Sequence, residues 1–166
     1  MTLPKGLRTF IESLISQRVE FLVVGAHAVA FHGHPRFTGD IDLLVRPTKE
    51  NAERVMAALS AFGFSSPGLS ATDFIRPDAV VQIGRPPNRI DLLTAITGVG
   101  FDEAWAGRCA GTLSGIAVSF LGFESLLKNK QATGRSKDAE DVAKLQSIRK
   151  RGAARPDGGS AQPLLR

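Results

Sequence analysis

Two aspartates one residue apart, Asp40-Ile41-Asp42, head the apolar run Leu43-Leu44-Val45. Side chains alternate faces along a strand, so both carboxylates project from one face and Ile41 projects into the core on the other. Two like charges at that spacing repel and need compensation. A divalent cation supplies it. Mg²⁺ takes oxygen ligands and keeps several waters, so one or two carboxylates plus phosphate oxygens complete its shell. A third acid, Asp91, sits in a second apolar run, Arg89-Ile90-Asp91-Leu92-Leu93. If the two runs are neighbouring strands, three carboxylates converge. Three can hold two ions about 3.5–4 Å apart, the clamp for in-line phosphoryl displacement, with Asp91 as ligand and base. On spacing alone a second reading stands beside this one: an Asp-x-Asp pair on a solvated strand edge, with Asp91 at a strand end by chance.

The surrounding elements have to bring these residues together. Leu7, Phe10, Ile11, Leu14 and Ile15 recur at helical spacing, which predicts an amphipathic helix over residues 5–18. Phe21-Leu22-Val23-Val24 reads as a buried strand broken at Gly25, with a short helix of small residues over 26–31. The strand 40–45 follows. Thr48 is a good N-cap for a helix that ends at Gly63. Residues 74–75, 79–83 and 89–93 read as strands, the last two paired as a hairpin through Arg85-Pro86-Pro87-Asn88. A short helix at 102–107, a strand at 116–120 and helices at 123–133 and 137–149 complete the chain. The expected fold class is α/β (α+β), a mixed sheet flanked by helices, with closing C-terminal helices.

The chain has 166 residues, 43% hydrophobic and 22% charged, the composition of one soluble globular domain. Its formal charge is +5, but the basicity is local. Residues 149–166 carry five basic residues and one acid, whereas residues 1–148 carry sixteen basic and fifteen acidic. The expected division is therefore a domain over 1–148 and a basic, Gly/Pro/Ala-rich tail over 149–166 that lacks the apolar surface to order itself. An RNA contact through that tail is the competing reading. One cysteine, Cys109, excludes an internal disulfide framework and suits a reducing cytoplasm. No apolar run approaches the ~20 residues of a membrane span.

Taken together, the segments resemble the nucleotidyltransferase superfamily that includes DNA polymerase beta, and in particular its small bacterial AbiEii-like and minimal-nucleotidyltransferase members. The matching stretch runs Val23-Val24-Gly25-Ala26-His27, then His32-Gly33 and Arg36-Phe37-Thr38-Gly39-Asp40-Ile41-Asp42. Asp91 matches the third acid. Leu126-Leu127-Lys128-Asn129-Lys130 and Gly134-Arg135-Ser136-Lys137-Asp138 resemble the closing helices, so the likeness spans roughly residues 10–146. It implies a nucleotidyltransferase fold and a Mg²⁺- or Mn²⁺-dependent enzyme that moves a nucleoside monophosphate from a nucleoside triphosphate to a hydroxyl of a protein or an RNA. It also implies a cognate toxin or antitoxin partner, or a phage-defence role. The chain departs from the pattern at Gly25-Ala26, where the family usually carries Gly-Gly or Gly-Ser. Ala26 keeps its backbone N–H but lacks the hydroxyl or the backbone freedom. The alternative that follows is a catalytically weak, nucleotide- or partner-binding protein.

The remaining candidates are polar. Gly25 and Ala26 would let the backbone approach phosphates. Arg36 and Thr38 either contact the triphosphate or pair with an acid and cap a turn. Lys130 and Lys137 would reach the triphosphate if the last helices fold over the site; the alternative is a solvated face with pairs such as Lys137 to Asp141. Asp138 and Asp141 are expected to orient basic residues rather than bind metal. His27, His32 and His34 cluster, but their spacing suits zinc poorly, and a structural hydrogen bond from His32 to a loop is expected.

Overall fold

A computed structural model describes residues 3–36 and 38–153. Its elements run α1 (Lys5–Ser16), β1 (Phe21–Val24), α2 (Gly25–Phe31), β2 (Asp40–Val45), α3 (Lys49–Phe62), β3 (Val80–Ile83), β4 (Arg89–Leu93), α4 (Phe101–Ala106), β5 (Cys109–Leu113), β6 (Ile116–Phe120), α5 (Phe123–Thr133) and α6 (Ser136–Ala153). The six strands form one mixed sheet in the order β3-β4-β2-β1-β6-β5. The pairs β2–β4 and β1–β6 are parallel, and the other three are antiparallel.

Alternation along the strands divides the interior into two layers. Val23, Ile41, Leu43, Ile90 and Leu92 face α1 and α3, where Phe10, Ile11, Leu14, Val55 and Leu59 pack against them. Leu22, Val24 and Leu44 face the other way, against Ala28 and Val29 of α2, Leu126 and Leu127 of α5 and Leu145 of α6. Ile41 is fully buried in the first layer, so its neighbours Asp40 and Asp42 face the second. Thr48 caps α3 as expected, its side chain accepting from the Asn51 N–H at 3.3 Å.

Three expectations need correction. Residues 74–75 are not a strand: Ala71–Phe74 is a 3-10 turn opened by a reciprocal Ser70–Asp73 capping box, with Phe74 buried beneath it. A strand at 109–113 was not expected, because Cys109-Ala110-Gly111-Thr112 are small and show no apolar alternation. It pairs with β6 through Ser114-Gly115, both at positive φ (51° and 81°), the two-residue turn whose twist suits a hairpin. Finally, α6 continues through residues 149–153, where the sequence predicts the start of the tail. The rest of that tail, 154–166, lies outside the described residues.

Candidate active site

The sheet register assembles the acids. Asp42 on β2 is the direct partner of Asp91 on β4, and Asp40 is the partner of Arg89. The strands are parallel neighbours, so all four side chains leave the same face. Asp40, Asp42 and Asp91 each bring a carboxylate oxygen within 4.8 Å of the others, and they are the only such group of three acid, His or Cys ligands among the described residues. The strand adjacency that the mechanism requires of Asp91 is present.

The price of this convergence falls on the carboxylates. Burial, followed by the charges of Asp40 and Asp91, pushes Asp42 up to about 6, against a smaller opposing pull from Arg89 and Lys130. Burial also raises Asp91, opposed by Arg89. Asp91 Oδ1 is buried and has no hydrogen-bond partner among the described residues. Arg89 Nε lies 3.0 Å from it, close enough to attract but out of line for a hydrogen bond. A hard-oxygen trio with a spare buried lone pair and a strained charge fits Mg²⁺ or Mn²⁺.

The acids open onto a cavity of about 380 Å³ beneath α5 and the start of α6. Gly25 and Ala26 form part of its wall. Gly25 has φ +66°, and a Cβ there would collide with the Asp42 carboxylate. The glycine is thus required twice, by backbone conformation and by the acid. Thr38 Oγ1 lies 2.9 Å from Asp40 Oδ1 and 3.1 Å from the Asp40 carbonyl oxygen, so it steadies that carboxylate.

The basic candidates also line the cavity, but they differ in freedom. Arg36 donates to Asp141 at 3.0 Å, and its Nε is buried without a hydrogen bond among the described residues. Lys130 is buried, its Nζ 3.2 Å from Asp138 and 3.3 Å from Asp141. Asp138 is fully buried. Burial works against its charge, but hydrogen bonds from Arg135, Thr133 and Lys130 outweigh that and hold its pKa well below the usual carboxylate range. Lys137 is exposed on the cavity wall and forms no ion pair among the described residues. Asp141 takes Arg36 and Lys130 in place of the helical pair with Lys137. The two acids of α6 therefore orient bases, as their sequence context suggests.

Sequence reasoning overlooked Arg89, which contacts both Asp40 and Asp91. Its position two residues before Asp91 on a strand was the available signal. Asn129 and Thr97, joined by an Asn129 Nδ2 to Thr97 carbonyl hydrogen bond of 2.9 Å, form a further part of the wall. Among the described residues the histidines join no group of three close ligands. His32 Nε2 meets the Leu121 carbonyl at 2.8 Å, and burial lowers the His32 pKa. His27 is buried in α2, where burial lowers its pKa against a smaller upward pull from Asp40.

No protein-family model and no curated protein matches the chain. Solved structures do. A Thermotoga maritima protein proposed to be a nucleotidyltransferase superposes with a TM-score of 0.55 at 18% identity, covering 90% of this chain and 91% of that one. The antibiotic-resistance factor ANT(2'')-Ia aligns over 90% of this chain and 92% of its own, with 16% identity and a TM-score of 0.49. An antigenic nucleotidyltransferase-like protein from Paracoccidioides brasiliensis aligns over 89% and 77%, with 19% identity and a TM-score of 0.49. The first of these establishes the fold: the chain has the mixed-sheet α/β architecture of the Thermotoga protein along nearly its whole length.

Proposed function

We propose that the chain is a Mg²⁺- or Mn²⁺-dependent nucleotidyltransferase that moves a nucleoside monophosphate from a nucleoside triphosphate to a hydroxyl, releasing pyrophosphate. The observation that carries this reading is the register pairing of Asp42 with Asp91, with Asp40 on the same face. Asp40, Asp42 and Asp91 would hold the cations. When bound, these neutralise the triphosphate and acidify the acceptor hydroxyl. Asp91, the acid contributed by the neighbouring strand, accepts the proton of that hydroxyl. Gly25 and Ala26 bring backbone close to the phosphates. Lys137 and Arg36 face the cavity with cationic donors for phosphate oxygens, and Lys130 contributes positive charge from its buried ion pairs.

The acceptor in this reading is a macromolecule, a protein side chain or an RNA end. The sequence resemblance to toxin–antitoxin and phage-defence enzymes makes a cognate antitoxin or toxin protein the partner to seek, in the cytoplasm. No helix among the described residues is long and apolar enough to cross a membrane.

A second reading, nucleotide or partner binding without turnover, is favoured by one observation: Ala26 stands in the cavity wall where the resembled family carries glycine or serine. One experiment separates the two. The protein is incubated with each labelled triphosphate, Mg²⁺ or Mn²⁺ and total cell extract. Transfer predicts label on a protein or RNA band, lost with Asp42→Ala. No label with any triphosphate, while triphosphate still binds, establishes the second reading.

A further inference from the structure

Arg89 sits where a counter-ion would sit. It lies two residues before Asp91 on β4 and pairs in register with Asp40 on β2, which puts it on the carboxylate face. Its Nη2 donates to Asp40 and, at 3.2 Å, to Asp91 Oδ2. Its Nε approaches Asp91 Oδ1 at 3.0 Å. One guanidinium thus spans two of the three acids. The side chain is 28% exposed, so the bridge is partly shielded from water and salt.

The bridge is incomplete. A settled arginine–carboxylate pair makes two in-line hydrogen bonds. Here Arg89 Nε and Asp91 Oδ1 are both buried, and neither has a hydrogen-bond partner among the described residues. One arm of the fork is misaligned, leaving a donor and an acceptor desolvated without full return. Asp42, the third acid, forms no ion pair with Arg89. The guanidinium neutralises the trio only in part. A cation reaching all three carboxylates compensates it better.

We propose that Arg89 is an internal competitor for the divalent cation: it neutralises Asp40 and Asp91 until metal arrives, and metal binding displaces it from both. This rests on the metal-site reading above. The freed guanidinium stays in the same cavity, whose wall it already lines with Arg36 and Lys137. Its planar fork matches phosphate oxygens, so the side chain passes from carboxylates to triphosphate. Arg89 therefore weakens metal binding when no nucleotide is present and strengthens nucleotide binding once metal is in place.

The test measures these two effects separately. Mn²⁺ alone is titrated into the full chain at pH 7.5 and low salt, with free ion read by electron paramagnetic resonance. Arg89→Met keeps the aliphatic stem and removes the fork. It is expected to bind Mn²⁺ about ten- to hundredfold more tightly than the wild type, the range for losing a charge-assisted competitor. Arg89→Lys keeps the charge without the fork and is expected to fall between them. With Mn²⁺ saturating, a non-hydrolysable triphosphate is expected to bind Arg89→Met at least about tenfold more weakly. Unchanged or weaker Mn²⁺ binding by Arg89→Met overturns the proposal, because Arg89 then positions the carboxylates instead of competing for them. If Arg89→Met does not fold, equal Mn²⁺ affinity of Arg89→Lys and wild type overturns it. Absence of Mn²⁺ binding to both the wild type and Arg89→Met removes the metal site itself, and this inference with it; bound Mn²⁺ that ignores Arg89 removes only the inference.

Discussion

Asp42→Asn should stabilise the metal-free protein. Asp42 titrates at about 6 in the fold against an ordinary 3.8. Its folded value is raised, so its contribution to stability is fully present below about pH 4 and is lost as pH rises through about 6. Above that, the fold carries an ionised carboxylate that burial and two neighbouring acids disfavour. The difference of about two pH units corresponds to about 3 kcal/mol at most, and partial solvent access reduces it to about 1–2 kcal/mol. For a chain of this length each kcal/mol moves Tm by about 2–4 °C. Asn fills the same volume without the charge. In thermal unfolding with EDTA, Asp42→Asn and wild type should coincide near pH 4 and separate as pH rises, the variant melting about 2–8 °C higher at pH 7.5. Mg²⁺ should then raise the wild-type Tm and leave the variant's nearly unchanged. A variant that melts lower than wild type at pH 7.5 without metal, or a difference independent of pH, refutes the reasoning.

Other perturbations follow from the same geometry. Gly25→Ala puts a Cβ into the Asp42 carboxylate at a positive φ; it should cost about 1–3 kcal/mol in denaturant unfolding and abolish the Mg²⁺ response of Tm. Asp138→Asn removes the buried partner of Lys130 and Arg135 and should cost about 3–5 kcal/mol at neutral pH. Because Asp138 is held below its ordinary value, that loss should shrink as pH falls below about 4, as urea titrations at pH 7 and pH 3 would read directly. Asp91→Asn should lower the transfer rate about 10²–10⁴-fold in single-turnover assays with labelled triphosphate, while triphosphate binding persists.

Much of the site was legible in the sequence because it depends on local periodicity. Strand alternation alone places Asp40 and Asp42 on one face with Ile41 buried behind them, and that is how they stand. Asp91 is different. Its convergence depends on β4 lying parallel to β2, with α3 and β3 between them in sequence, and pairing across that distance leaves no local signal. Arg89 escaped notice for a related reason: at the start of a strand an arginine reads as solvated, and although its spacing from Asp91 was a signal, its second partner, Asp40, comes only from the register of β4 with β2. Lys130 and Lys137 both line the cavity, but sequence could not distinguish them. One is buried in ion pairs and the other forms none among the described residues, because α6 packs its Asp138 and Asp141 inward. The fold errors have the same character. Small residues hid β5, and an apolar pair, Phe74-Ile75, reads as a strand unless the Ser70–Asp73 capping box is seen first.

The most direct test of the central claim is a crystal structure with Mn²⁺ and a non-hydrolysable triphosphate, the metal located by its anomalous scattering. The account predicts manganese bound by carboxylate oxygens of Asp40, Asp42 and Asp91 at about 2.0–2.2 Å, bridging to the triphosphate. Metal bound elsewhere, or Asp91 outside the coordination shell, would contradict it.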